Sequence, residues 1–164
     1  MDVYIARQPI FDSHMNIYGY ELLYRQNDKN YFIETDDDTA TTKLIYNSFL
    51  VVGLNDLTDG TKAFINFSKD LINSQVPYLL PKGRVVFEIL ERKEATQETI
   101  ETCEKMRAFG YELALDDFVM DDSFLPLIDK VDIIKVEYPS VSYSDQRSFI
   151  EKLRSKSKVK FLAE

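Results

Sequence analysis

Tryptophan is absent from this chain, and among its 164 residues there is a single cysteine and a single histidine. Each scarcity removes a class of chemistry. One thiol, Cys103, cannot close an intramolecular disulfide, which points to a reducing compartment. It falls on the apolar side of an expected helix and reads as a buried core thiol. One histidine, His14, lies in the polar turn Asp12-Ser13-His14-Met15-Asn16, so histidine-based metal centres and Ser-His-Asp catalysis are excluded. No basic cluster occurs, and 20 Lys and Arg against 28 Asp and Glu leave a net charge of -8. Broad electrostatic capture of DNA is therefore disfavoured. No apolar run approaches the ~20 residues that span a bilayer. The start, Met1-Asp2-Val3-Tyr4, lacks the basic and apolar regions of a signal peptide. The expectation is a cytoplasmic protein with no membrane partner. No glycine-rich phosphate loop is present, which argues against a sugar-phosphate barrel enzyme.

What is present suits a single domain over residues 1–164. The chain is 45% hydrophobic and 29% charged, with 10 Tyr and 11 Phe to build a core. Val3–Ile10 and Ile17–Tyr24 are strand-like and flank the polar turn, so a hairpin is expected first. Thr39–Val52 has helical apolar spacing, with Asp38 as its N-cap. Ala63–Phe67 is a strand, followed by a short helix Lys69–Ile72 capped by Ser68. Arg84–Ile89 is the next strand. Thr96–Phe109 is the clearest helix, with Ile100, Cys103, Met106 and Phe109 on one face and Gly110 just beyond its end. Leu113–Leu115, Ile133–Val136 and Lys158–Ala163 read as strands, separated by helices over Phe124–Ile128 and Ser144–Lys156. A hairpin followed by alternating strands and helices predicts an α/β fold with a mainly parallel sheet.

Polar residues recur where apolar strand-like runs stop: Glu21, Asn66, Glu88, Asp116 with Asp117, Lys135 and Glu164. In a (β/α) barrel, strand ends on one face converge on a single site. Carboxylates, an amide and a lysine gathered there would suit a divalent metal and phosphate-ester hydrolysis. Clustered carboxylates would repel a phosphate-bearing substrate unless metal ions neutralised them.

These residues also carry a family resemblance. Tyr20-Glu21-Leu22-Leu23-Tyr24-Arg25 resembles the Glu-x-Leu-x-Arg signature of EAL domains, the cyclic di-GMP phosphodiesterases. Gln8-Pro9-Ile10, Phe64-Ile65-Asn66-Phe67-Ser68, Phe87-Glu88-Ile89-Leu90-Glu91, Leu115-Asp116-Asp117-Phe118, Ile134-Lys135-Val136 and Leu162-Ala163-Glu164 resemble further family motifs in family order. The resemblance implies a TIM-barrel-like (β/α) EAL fold with an initial antiparallel hairpin, incomplete at the C-terminus. It implies that Glu21, Asn66, Glu88 and Asp116 ligate a first Mg²⁺ or Mn²⁺, and that Asp116 and Asp117 hold a second. Lys135 would orient the attacking water or hydroxide, and Glu164 would assist as a base or support the second metal. Gln8 and Arg25 would face the substrate, and Glu91 would brace the loop after Asp117. The opening segment is most similar to EAL domains joined to a C-terminal HDOD domain, which makes an HDOD domain an expected partner in a longer protein, beside cyclic di-GMP and a homodimer.

Two departures bear on activity. After Asp-Asp-Phe the family carries a glycine- and serine-rich loop, whereas Val119-Met120-Asp121-Asp122-Ser123 has no glycine. The family's later strands also lie beyond Glu164. The expectation is therefore a chain that hydrolyses cyclic di-GMP to pGpG weakly or not at all. The alternative is a degenerate EAL module serving as a cyclic di-GMP-binding or protein-interaction scaffold.

Overall fold

The computed structural model describes residues 4–25, 37–46, 53–90, 96–118, 124–136, 142–154 and 157–163. Two compact units, Met1–Val86 and Phe87–Glu164, are taken in turn.

The first unit opens on the expected hairpin, β1 (Tyr4–Phe11) antiparallel to β2 (Ile17–Arg25). Its turn is organised by Asp12, whose Oδ1 accepts the backbone N–H groups of His14 at 2.8 Å and Asn16 at 2.9 Å. This local bonding lets Met15 take a left-handed backbone, with φ of 64°. The Asn16 side chain and then its backbone hold the Asp12 carboxyl below the usual carboxylate value. The register slips by one residue between Ile10 and Phe11, so Tyr18 is a bulge residue next to Gly19.

Helix α1 (Asp37–Tyr46) has already begun at Asp37, so Asp38 lies inside it instead of capping it. The unpredicted short helix α2 (Leu54–Thr58) follows. Strand β3 (Lys62–Phe67) pairs parallel to β2, and Ala63 N–H donates to the Arg84 carbonyl at 2.8 Å. Ser68 caps α3 (Lys69–Asn73) as expected, its Oγ accepting Leu71 N–H at 3.1 Å. A 3-10 turn at Val76–Leu79 precedes β4 (Val85–Leu90). Leu22, Ala63, Phe64, Ile65, Phe67, Ile72 and Val85 are buried. The unbroken run in β3 is what a strand covered on both faces requires.

The second unit takes in the rest of β4. Helix α4 (Gln97–Ala108) is capped by Thr96, whose Oγ1 accepts Thr99 N–H at 3.2 Å, and Gly110 follows with φ of 89°. Its buried face is Thr99, Thr102, Cys103 and Met106, so Cys103 and Met106 are buried as expected while Ile100 is only half-buried. Phe109 is exposed because the helix ends at Ala108, leaving that ring past the last turn. Strand β5 (Glu112–Phe118), α5 (Leu125–Ile128), β6 (Ile133–Val136), α6 (Tyr143–Arg154) and β7 (Lys160–Ala163) complete the unit. β5, β6 and β7 pair in parallel. Asp132 aligns their starts: its Oδ2 accepts Leu113 N–H at 3.0 Å, and its carbonyl accepts Lys160 N–H at 2.9 Å. All four residues of β6 are buried. Among the described residues, no helix is long and apolar enough to cross a membrane.

Candidate metal centre

Among the described residues, the polar residues singled out in the sequence do not close their strands. Glu21 lies inside β2, Glu88 inside β4, and Asp116 and Asp117 inside β5, while Asn66 and Lys135 are each followed by one more strand residue. Backbone pairing continues past a polar side chain wherever the neighbouring strand supplies partners, so the side chain marks a face and not an end.

In the first unit, Glu21 is level with Phe64 on β3, and side chains two apart share a face, so Asn66 projects beside Glu21. Asn66 Nδ2 donates to Glu21 Oε1 at 3.3 Å. Asn66 Oδ1 is buried with no hydrogen-bond partner among the described residues. Thr41 on α1 donates its hydroxyl to the Asn66 carbonyl at 2.9 Å, fixing this end of β3. Sequence reading missed Thr41, because a tertiary hydrogen bond leaves no local pattern. Gln8 is exposed and sits directly across β1 from Glu21. Arg25 follows Glu21 by four residues on the same face; one of its terminal N–H groups donates to the Tyr24 carbonyl at 3.0 Å, and its Nε is buried without a hydrogen-bond partner among the described residues.

A separate cluster pins the base of this unit. Asp59 Oδ2 accepts the Tyr20 hydroxyl at 2.6 Å and the Arg7 guanidinium at 3.2 Å, and that guanidinium lies 4.7 Å from the Tyr20 ring centre. The Tyr20 bond lowers the Asp59 carboxyl below its ordinary value, with Arg7 adding to it. The same bond raises the Tyr20 phenol.

In the second unit, Lys135 Nζ lies 3.0 Å from Glu88 Oε1 and 2.9 Å from Asp116 Oδ1. All three are buried: Glu88 is 0% exposed, Lys135 1% and Asp116 7%. Two carboxylates and one ammonium leave this group with a formal excess of negative charge. Removing one partner of such a buried pair typically costs about 3–5 kcal/mol, because the other charge stays desolvated. The pairing of β5 with β6 jumps from Leu115↔Ile134 to Phe118↔Val136, so β5 carries one residue more than β6 at Asp116-Asp117. This bulge leaves Asp116 level with Lys135 and returns Phe118 to the opposite face. There its ring packs 5.5 Å from Phe124 and 5.6 Å from Phe149, centre to centre. The Asp117 side chain, Glu91, Glu164 and the loop 119–123 lie outside the described residues.

The donors fit a hard divalent cation. Every candidate ligand atom is a carboxylate or amide oxygen, the chemistry preferred by Mg²⁺ and Mn²⁺. The buried, unsatisfied Asn66 oxygen is the kind of atom that a bound ion would explain.

No family model matches the chain. It is 36% identical over 169 residues to the uncharacterized protein YuxH of Bacillus subtilis, covering 100% of this chain and 41% of that protein. It is 36% identical over 163 residues to the cyclic di-GMP phosphodiesterase CdgJ of Vibrio cholerae, covering 98% of this chain and 38% of that one. The chain thus spans about two-fifths of the length of these curated relatives. Among solved structures it resembles the Bacillus subtilis YkuI protein, which has an EAL domain and was crystallised with its substrate cyclic di-GMP and calcium. The TM-score is 0.70 at 19% identity, over 99% of this chain and 49% of that one. The α/β fold of the TIM-barrel-like EAL type, opening on an antiparallel hairpin, is therefore the fold of this protein. By its fold, the chain belongs with the EAL-domain proteins, and in sequence it is similar to a cyclic di-GMP phosphodiesterase.

Proposed function

We propose that this chain is a cyclic di-GMP signalling domain that binds the dinucleotide beside a metal centre. The observation that carries the reading is the buried Glu88–Lys135–Asp116 group on strands of an EAL fold. A charge group this deeply buried is costly to a fold that gains no chemistry from it. Glu21, Asn66, Glu88, Asp116 and Asp117 would hold Mg²⁺ or Mn²⁺. When bound, such ions neutralise substrate charge and lower the pKa of a coordinated water. Asn66 offers its free oxygen to the ion while its amide N–H steadies Glu21. Lys135 would orient the attacking water or hydroxide, and Glu164 would assist as a base or support the second metal. Arg25 would offer its unpartnered Nε–H to a phosphate oxygen, and Gln8 would face the substrate from β1, opposite Glu21. Glu91 braces the loop after Asp117. A homodimer and an HDOD domain in a longer protein complete the proposed partners, and the reducing cytoplasm is the proposed compartment.

The glycine-free segment Val119–Ser123 supports a second reading, in which turnover is weak and the domain acts as a binding or interaction scaffold. The test is chromatographic detection of pGpG after incubation with cyclic di-GMP and Mn²⁺, beside Glu21→Ala. Turnover abolished in the variant supports a metal-dependent phosphodiesterase. Calorimetric binding without turnover supports the scaffold. Neither heat nor pGpG, with or without metal, overturns the nucleotide reading.

A further inference from the structure

We propose that Lys135 is a built-in counter-cation for Glu88 and Asp116, so that a divalent ion taking up these carboxylates does so in competition with the lysine. The inference rests on the metal reading above and goes beyond the water-orienting role given to Lys135 there. The Lys135 ammonium contacts one oxygen of each carboxylate, at 3.0 and 2.9 Å. Its side chain is 1% exposed, so its charge is balanced by protein groups and not by water. It has no open solvent to swing into, because β6 is buried at every position and the Lys135 side chain is 1% exposed. The bulge at Asp116-Asp117 keeps Asp116 level with it. A divalent ion on the same oxygens would sit within a few ångströms of the ammonium, where like charges repel strongly in a poorly solvated site. The lysine therefore holds the two acids together before a metal arrives and weakens the grip of the metal that follows.

The experiment uses the full chain, stripped with a chelator, as wild type, Lys135→Met and Lys135→Arg. Mn²⁺ affinity is measured by calorimetry, and thermal melting with and without Mn²⁺. The expected result is a Lys135→Met protein that melts below wild type in chelator yet binds Mn²⁺ roughly tenfold or more tightly, as loss of a nearby repelling charge requires. Lys135→Arg should stay near wild type. A role confined to orienting water would instead lower turnover and leave Mn²⁺ affinity unchanged, which overturns the inference and spares the metal reading. No Mn²⁺ binding by either wild type or variant overturns both. If Lys135→Met is unfolded in chelator, recovery of its fold on adding Mn²⁺ supports the inference, and no recovery under conditions where wild type binds overturns it.

Discussion

Replacing Gly19 with alanine probes how the packing of β2 on β3 sets the position of Glu21. Gly19 pairs with Lys62, and an added Cβ would lie 2.8 Å from the Lys62 carbonyl oxygen, 2.9 Å from Phe64 Cε2 and 3.2 Å from Phe64 Cδ2. Comfortable carbon contacts begin near ~3.5 Å. The strands or the ring must therefore move by about half an ångström. The ring has nowhere to go, because Phe64 is fully buried. Overpacking of this kind costs about 1–3 kcal/mol. For a chain of 164 residues that is a fall in melting temperature of roughly 2–12 °C. Gly60→Ala is the control: nothing lies within 4 Å of its Cβ position, and its cost comes from a left-handed φ of 76°. The assay is thermal melting followed by circular dichroism for both variants, for Phe64→Leu and for Gly19→Ala with Phe64→Leu. If the ring contact matters, the double variant is less destabilised than the sum of the singles by about 0.5 kcal/mol or more. A Gly19→Ala protein melting within a degree of wild type, or strict additivity with Phe64→Leu, would refute the packing argument. Glu21 shares its face with Gly19 and is level with Phe64, so the same displacement should weaken Mn²⁺ binding in calorimetry.

Two further outcomes are expected. Thr41→Val keeps the side-chain shape but removes the hydrogen bond to the Asn66 carbonyl, so urea denaturation should show a loss of about 1 kcal/mol. Thr41→Ser should retain most of it. The Tyr20–Asp59 bond should make wild type more stable than Tyr20→Phe across a wide pH range. Asp59 is lowered from 3.8 on folding, so its contribution is present above that value and lost as pH falls through the lower folded-state value. Tyr20 is raised from 10.0, so its contribution is present below that value and lost as pH rises through the higher folded-state value. Melting curves of the two proteins should therefore converge only at the acid and alkaline extremes; a constant gap through both would refute the linkage.

The strands and helices with strong periodicity were legible in the sequence. The hairpin, the Ser68 cap, Gly110 after α4 and the strand β6, apolar but for Lys135, each follow from local chemistry. Helix α2 was not legible, since Leu54–Thr58 is too short to show a period. The α4 stripe was right at Cys103 and Met106 but was extended through Ile100 and Phe109, whereas two threonines complete the buried face. The candidate site could be read as a set of residue types but not as a set of contacts. Nothing in the spacing of Glu88, Asp116 and Lys135 says that one ammonium touches both acids, and nothing local joins Thr41 to Asn66.

The extra residue in β5 also makes face assignment there a matter of odd and even numbering. Up to Asp116, even-numbered side chains share the side of Lys135; Phe118, although even, lies on the side of Ile134 and Val136. Deleting Asp117 would therefore do more than remove an acid. It would also make the two strands equal in count, abolishing the bulge while leaving Phe118 opposite Val136 and beside its aromatic neighbours. The extra residue thus bends the backbone beside the charged pocket without deciding which way Phe118 points.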